Sequence, residues 1–265
     1  MIDALYISAS GLRSEQKQID VISNNVANLQ TPGFKRGRAN FVEVAAAAVA
    51  ADPAQAADPA QAARLSAESA AGNGSRVVST STMFTQGELR ATRGVYDLAI
   101  DGAGFFELST DDGRSVYTRD GQFRLDAEGA LVSIHGPRLA QDIRIPEGAK
   151  EVRVDAKGEI TAILEGEKER SVLGQIELAA FAAPDLLTSI GDNQFQAGDT
   201  AGAPTYGRPG ETGFGQLQQG QVEMANVEMI DEMSALVLAQ RAYQLNARVL
   251  QASDQILETI NNLRR

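Results

Sequence analysis

The residues able to support acid–base, nucleophilic or metal chemistry are few in this 265-residue sequence. There is one histidine, His135, and no cysteine. A Ser-His-Asp triad needs a histidine beside a serine and a carboxylate, and the usual zinc sites need several His and Cys ligands. His135 precedes a Gly-Pro pair, which is typical of a surface turn. The sequence therefore predicts no catalytic triad and no metal site.

Carboxylate pairs are the remaining catalytic option, because a glycosidase needs only two acids. With 35 Asp and Glu residues such pairs arise by chance, and the low aromatic content of 5% gives them no pocket-forming partners. Gly102-Ala103-Gly104 lacks the third glycine and the helix of a dinucleotide loop, and Asp112-Gly113 lacks the spaced ligands of a calcium loop. No cofactor is predicted, and a secreted carboxylate-dependent hydrolase stays an alternative.

Charge and hydropathy exclude further classes of function. Lys and Arg number 24 against 35 acidic residues, for a net charge of −11. Such a surface repels phosphate backbones, so we expect no nucleic-acid partner. The N-terminal residues lack the basic and apolar regions of a Sec signal peptide. No uncharged apolar run approaches the ~20 residues that span a bilayer, so no membrane insertion is expected.

Apolar residues recur every seven positions at both ends of the chain, which is the coiled-coil period. Near the N-terminus the repeat predicts a helix over about residues 3–29, and near the C-terminus a longer helix over residues 226–263. Acidic residues in the first turn of the second helix suit its dipole. The apolar seams consist of Leu5, Leu12, Ile19, Ile22 and Val26 in the first helix and of Met229, Leu236, Tyr243, Leu250 and Leu257 in the second.

Both seams need a partner to bury them. One interpretation is an intramolecular helical hairpin lying on the rest of the chain. The other is that the helices pair with each other and with neighbouring subunits, which makes the seam residues a subunit interface. Sequence pattern alone leaves both interpretations open.

Between the helices the period changes to two, which predicts β-strands. Pairs such as Asp101-Gly102 and Asp120-Gly121 separate many of the runs, as in an antiparallel meander. Residues 191–220 are predicted to be a Gly-rich connection to the last helix. The predicted strands are residues 97–100, 105–108, 116–118, 122–125, 131–134, 151–154, 160–164 and 176–181.

A connector precedes the strands. Thr31-Pro32-Gly33 predicts a turn that ends the first helix, with the glycine supplying a positive φ. Residues 45–71 are Ala-rich, and they contain a hexapeptide that starts at Asp52 and is repeated up to Ala63. Prolines interrupt any helix there, so the segment is predicted to be an exposed linker or insertion.

These patterns predict an α+β fold. Long N- and C-terminal helices form a coiled-coil-like inner domain, and the centre forms a mainly antiparallel β domain. The predicted segments are the first helix at residues 1–30, an extended or hairpin connector at 31–76, a β-rich outer domain at 77–220 and the second helix at 221–265.

Several separated motifs resemble those of the flagellar rod and hook protein family. They are SGL at residues 10–12, DVISNNVAN at 20–28, TPGFK at 31–35, the segments 97–106 and 117–123, and QRAY at 240–243 with DQIL at 254–257. The resemblance covers nearly the whole chain in the same order. Its length and intact QRAY segment are most similar to the distal rod branch; a proximal rod or hook-type protein is the alternative. The motif residues singled out are Asn24, Asn25, Asn28, Thr31, Gly33, Phe34, Lys35, Gln240 and Arg241.

The resemblance implies a structural subunit of the flagellar basal body and no enzyme. It implies secretion by the flagellar type III export apparatus without a cleaved signal, and assembly in the periplasm as an open helical homo-oligomer that transmits torque. The implied partners are further copies of the chain, the proximal rod and hook proteins, and the surrounding basal-body rings.

The Ala-rich segment gives a first testable prediction. Because it cannot build a core of its own, we expect it to lie against adjacent subunits and stiffen the assembly. Deleting residues 52–63 should leave secretion and folding of the monomer intact but give tubes that curve in electron micrographs. Straight tubes of unchanged rigidity would make the segment a passive linker.

Overall fold

Helices lie near both ends of the chain, as the seven-residue repeats predict. The computed structural model describes residues 2–44, 74–110, 112–164, 169–198 and 200–263. Helix α1 comprises Ile2–Ala27, and helix α2 comprises the 35 residues Met229–Leu263. At ~1.5 Å per residue α2 is about 52 Å long. The hexapeptide repeat of residues 52–63 lies outside the described residues.

Helix α2 begins three residues later than the pattern predicts, and Asn226 explains the difference. Its side-chain oxygen accepts a hydrogen bond from the backbone N–H of Arg36 at 2.7 Å. Its side-chain nitrogen donates to the carbonyls of Met83 at 2.8 Å and Thr85 at 3.1 Å. These bonds hold residue 226 among extended segments, so the first helical turn starts after it.

The centre of the chain is a set of short strands, and every described pairing for which a register is defined is antiparallel. The predicted strands are present, mostly shifted by one residue or shortened. The described residues form β1 Gly37–Glu43, β2 Ser75–Thr82, β3 Leu89–Ala91, β4 Leu98–Asp101, β5 Phe105–Ser109, β6 Ser115–Thr118, β7 Phe123–Leu125, β8 Leu131–Ser133, β9 Arg138–Leu139, β10 Lys150–Val154, β11 Glu159–Ile163, β12 Arg170–Gln175, β13 Leu178–Ala180, β14 Thr188–Gly191, β15 Gln194–Gln196, β16 Thr205–Gly207, β17 Gln216–Gln219 and β18 Gln221–Glu223.

The largest sheet has the strand order β14-β15-β6-β5-β9-β8-β7, with β13 also pairing with β5 and β16 pairing with β13. Strands β10, β11 and β12 form a three-stranded sheet. The pairs β1-β2, β17-β4 and β18-β3 are two-stranded. The α+β class with a central antiparallel domain is thus confirmed.

The chain divides into two compact units. The helical unit contains α1 as far as Asn24, the hairpin of β1 and β2, and α2. The β unit contains Asn25–Arg36 and Thr82–Glu228. These units cut across the four segments predicted from the sequence, and those segments remain a prediction about domain organisation.

Two adjacent phenylalanines on β5 show how the β unit is packed. Successive strand residues point to opposite faces. Phe106 accordingly packs in one hydrophobic cluster, with its ring centroid 5.2 Å from that of Phe123 in an edge-to-face arrangement. Phe105 packs in a second cluster, where Phe84 lies edge-on at 5.1 Å and Phe181 at 5.9 Å. Strand β5 therefore contributes one phenylalanine to each of the two hydrophobic clusters.

Gly121 differs from the other glycines of the predicted turns. Gly113, Gly129 and Gly158 have positive φ, as turn chemistry requires, but Gly121 does not. A Cβ at Gly121 would lie 1.6 Å from the carbonyl oxygen of Leu98, whose N–H donates to the Gly121 carbonyl at 2.9 Å. Glycine is needed there for close approach of two backbones.

Residues 191–220, predicted to be a Gly-rich connection, also contain strands that the sequence pattern did not predict. The region contains β15, β16 and β17. Each strand has three or four residues and a single large apolar side chain, such as Phe195, so no period of two can be recognised. Tertiary pairing determines these strands.

Candidate functional site

The turn after α1 contacts residues from three later parts of the β unit, near positions 120, 193 and 223. Gly33 has a φ of 70°, and its N–H donates to the carbonyl of Glu223 at 2.8 Å. A Cβ on Gly33 would lie 2.6 Å from the Cα of Asp120, so a larger residue would separate these segments. The Pro32 carbonyl accepts from the Asn193 side chain at 2.9 Å. The predicted positive φ of Gly33 is confirmed.

Lys35 and Glu223 form an ion pair whose two side chains are 0% exposed. The Lys35 ammonium is 2.5 Å from Glu223 Oε1, and it also donates to the Thr85 carbonyl at 2.9 Å. The same carboxylate oxygen accepts from the N–H of Gly87 at 2.8 Å. The charges are therefore both paired and hydrogen-bonded, which is the condition for burying them.

Arg119 adds a second cation to this charge cluster, which we define as Lys35, Arg119 and Glu223. Its Nη1 is 3.4 Å from Glu223 Oε2, and its guanidinium lies 5.2 Å from the ring centroid of Phe105. Burial lowers the pKa of both Lys35 and Arg119, while the Glu223 carboxylate opposes that shift. One carboxylate thus compensates two buried cations.

Asp120 is a buried carboxyl next to this cluster in sequence. Its Oδ1 accepts from the N–H of Gln122 at 3.1 Å, and its Oδ2 is 3.6 Å from His135 Nε2. Burial raises the pKa of Asp120 to about 6; the Gln122 and His135 contacts work against this shift, and the charge of Asp97 adds to it. His135 itself lies in an exposed turn, as the sequence predicts.

Within the helical unit, α1 and α2 approach each other at Gly11. A Cβ on Gly11 would lie 2.8 Å from the side-chain nitrogen of Asn246. The predicted seam residues of α1 are half-buried, except Ile22, which is buried. On α2, the seam residues Leu236, Leu250 and Leu257 are half-buried, whereas Met229 and Tyr243 are exposed. Their role as a subunit interface stays a prediction.

A second apolar surface on α2 was identified from the sequence only at Val249 and Ile256, which widen the predicted seam. We call it the outer stripe. Apart from the adjacent Val237 and Leu238, its residues recur at spacings of three, four and seven along one helix, and the most exposed are Ile230 at 80%, Leu238 at 67% and Leu245 at 61%. The seven-residue pattern that reveals the first seam also occurs here, displaced by one or two positions. The outer stripe consists of Ile230, Met233, Val237, Leu238, Leu245, Val249, Ile256 and Ile260.

The described residues contain no group of three or more His, Cys, Asp and Glu side chains suited to a metal ion. Over the same part of the chain, no helix has the length and apolar character needed to cross a membrane.

Three family descriptions match separate parts of the chain. "Flagella basal body rod protein" matches residues 5–35, "Flagellar hook protein FlgE/F/G D1 domain" matches 99–162, and "Flagellar basal body rod FlgEFG protein C-terminal" matches 218–263. Flagellar basal-body rod protein FlgG of Buchnera aphidicola from Acyrthosiphon pisum is 36% identical over 263 residues, covering 99% of this chain and 100% of its own. The chain belongs to the flagellar basal-body rod protein family.

Two relatives from one organism indicate the branch of the rod family. FlgG of Caulobacter vibrioides is 35% identical over 263 residues, covering 99% of this chain and all of its own length. FlgF of the same organism is 28% identical over 254 residues, covering 94% of this chain and 93% of its own. The chain is therefore a FlgG-like structural rod protein, and the carboxylate-dependent hydrolase is not supported.

The rod-family motif residues fall into both units. Lys35 and Gly33 belong to or contact the charge cluster, Asn25 is buried, and Asn28 accepts a hydrogen bond from the Thr31 hydroxyl at 3.2 Å. Phe34 is half-buried, and Asn24, Gln240 and Arg241 are exposed in the helices. Sequence reasoning missed Arg119 and Glu223 as partners of Lys35, since no local spacing links them.

The charge cluster gives a second prediction. Glu223→Gln keeps the size of the side chain but leaves two buried cations without an anion. Removing one partner of a buried ion pair costs about 3–5 kcal/mol, so the β unit should lose about that much unfolding free energy in urea. The control Glu88→Gln makes the same change on an exposed side chain. Equal effects of the two variants would contradict a stabilising role for the pair.

Asp120 gives a third prediction, on pH. Between pH 3.8 and about 6 the folded protein retains a proton on Asp120 that the unfolded chain has lost. The unfolding free energy should therefore fall as pH rises through this window, by about 3 kcal/mol in total for a shift of this size. Asp120→Asn keeps an oxygen for the Gln122 N–H and should flatten the dependence in urea titrations. Asp112→Asn, at an exposed position, should retain it; an unchanged slope in Asp120→Asn would refute the assignment.

Proposed function

We propose that this protein is a subunit of the distal part of the flagellar rod, and that it works by self-assembly into an open helical tube that transmits motor torque. The observation that carries the proposal is the outer stripe. Burying one Val, Leu, Ile or Met side chain contributes about 1.5–3 kcal/mol. A stripe of eight such residues left in water would be a large unfavourable surface, and contiguous apolar patches of this kind mark protein interfaces.

The two faces of α2 suit two kinds of contact. The half-buried seam around Leu250 and Leu257 supports pairing within the inner domain, as in a coiled coil. The outer stripe supports contact with neighbouring copies. Because a stripe on one copy meets a different surface on the next, the contact repeats without closing and produces a filament.

The location and partners follow from this proposal. The rod would cross the periplasm within the basal body, surrounded by its rings, and join proximal rod proteins at one end and the hook at the other. The subunit would pass through the flagellar type III export apparatus without a cleaved signal. The names of its relatives as basal-body rod proteins support the basal body as the location.

A fourth prediction tests the outer stripe against the enzyme alternative. Leu245→Asp places a charge on a surface that becomes buried only on assembly. Tubes should disappear from electron micrographs and motility should be lost, while the free energy of unfolding of the β unit changes by no more than about 0.5 kcal/mol. Leu250→Asp probes the inner seam in the same way.

The matched control is Gln244→Asp, which puts the same charge on the neighbouring exposed residue. It should assemble and support motility. If Leu245→Asp also assembled, while a single Asp or Glu of the β unit proved essential, the structural function would be wrong and a carboxylate-dependent hydrolase would be favoured.

A further inference from the structure

A groove in the helical unit runs between α1 and β2. It encloses a volume of about 760 Å³. One wall is a single face of α1 made of Tyr6, Ser10, Arg13, Ser14 and Lys17, and the other is residues 75–80 of β2. At one end the Ser14 hydroxyl donates to the Ser75 carbonyl at 2.9 Å, which ties the two walls together.

The groove follows the edge of β2, because consecutive residues 75–80 all line it. Side chains of a strand alternate between faces, so a cavity over one face would be lined by every second residue. β1 pairs with one edge of β2 in a two-stranded sheet, and within the described residues no strand pairs with the other edge. Apart from the Ser75 carbonyl, which accepts from Ser14, the described edge therefore presents backbone groups without a strand partner, and these can accept a further strand.

The groove is basic in an acidic protein. Arg13, Lys17 and Arg76 line it, and among the described residues no Asp or Glu does, although the chain carries a net charge of −11. All three are exposed, and none forms a salt bridge with another described residue. The positive charge of the groove favours binding of an extended segment that has carboxylates on either side of it.

Strand β14 has these properties. It lies at the end of the largest sheet, and in the described part of the chain it pairs with β15 alone. All four of its residues are exposed, unlike those of the strands inside the sheet. Asp185 lies before it and Asp192 after it, both exposed, and its Ile190 side chain is 48% exposed. An exposed edge with an apolar residue is prone to strand pairing.

We infer that β14 of one copy pairs with the free edge of β2 in a second copy, in the groove beside α1. This inference rests on the proposed self-assembly and adds one specific contact to it. The charges disfavour the symmetric alternatives: β2 against β2 would oppose basic residues, and β14 against β14 would oppose Asp185 and Asp192 to themselves. Of these three pairings, only β14 with β2 brings opposite charges together. Because it joins different surfaces of the two copies, it is a head-to-tail contact that can extend a filament.

Cross-linking provides the fifth prediction, because the chain has no cysteine to interfere. Proteins carrying only Val78→Cys and only Ile190→Cys, one of them with a size tag, are mixed, assembled and treated with a bismaleimide that spans ~10 Å, about three residues along a strand. The expected product is the mixed dimer within tubes. Replacing Ile190→Cys by Val172→Cys, exposed on the three-stranded sheet, should not give it.

Each outcome is decisive. Dimers of one protein with itself, or tubes without the mixed dimer, would overturn the strand pairing while leaving the rod function intact. Absence of tubes from the unmodified protein would overturn both. As a second measurement, Arg76→Glu should raise the critical concentration for assembly about fivefold at low salt, and combining it with Asp185→Arg should bring it back close to the parent value. Failure of the swap to restore assembly would also count against the pairing.

Discussion

The buried ion pair between Lys35 and Glu223 is the contact on which the arrangement of the β unit depends. It joins residues 188 positions apart, one in the first segment of the β unit, Asn25–Arg36, and the other in its last strand, β18. Charges are buried at a high desolvation cost, so they specify a geometry more than they stabilise it. The Gly33 N–H bond to the Glu223 carbonyl adds a backbone contact at the same point. The first segment of the β unit and its last strand are therefore fixed side by side.

The two units differ in how far they bury their apolar side chains. The β unit buries large apolar side chains within itself: Phe105 and Phe106 project from one strand into two hydrophobic clusters. Arg119 lies over the Phe105 ring and also pairs with the negative charge of Glu223. In the helical unit, α2 keeps the outer stripe in water. Before assembly, copies of the subunit must stay apart in solution. The net charge of −11 favours this because like-charged copies repel each other. The burial missing from α2 is the part that the proposed neighbours supply.

Sequence periodicity predicted both helices and eight of the eighteen described strands because their signals are local. Seven-residue repeats and Asp-Gly turns involve neighbours in the chain. The failures were non-local: Asn226 bonds to segments about 140 and 190 positions away and delays α2, and short strands such as β15 carry too few residues to show a period. Gly121 looked like a turn residue, whereas its role is contact with Leu98. The family motif included Lys35, but its partners Arg119 and Glu223 lie far away in sequence and carry no spacing signal.

The ion pair between Lys35 and Glu223 also affects which contacts would bear a mechanical load on the subunit. A subunit strained through its two helices is pulled at the residues that lead into and out of the β unit. Between those residues lies a direct bridge of one backbone hydrogen bond and one ion pair, whereas along the chain Lys35 and Glu223 are 188 residues apart. Because the bridge is the shorter connection, load applied between these residues would reach it before the rest of the β unit. The contacts of Lys35 and Gly33 with Glu223 would thus bear the load first, before the other contacts of the β unit.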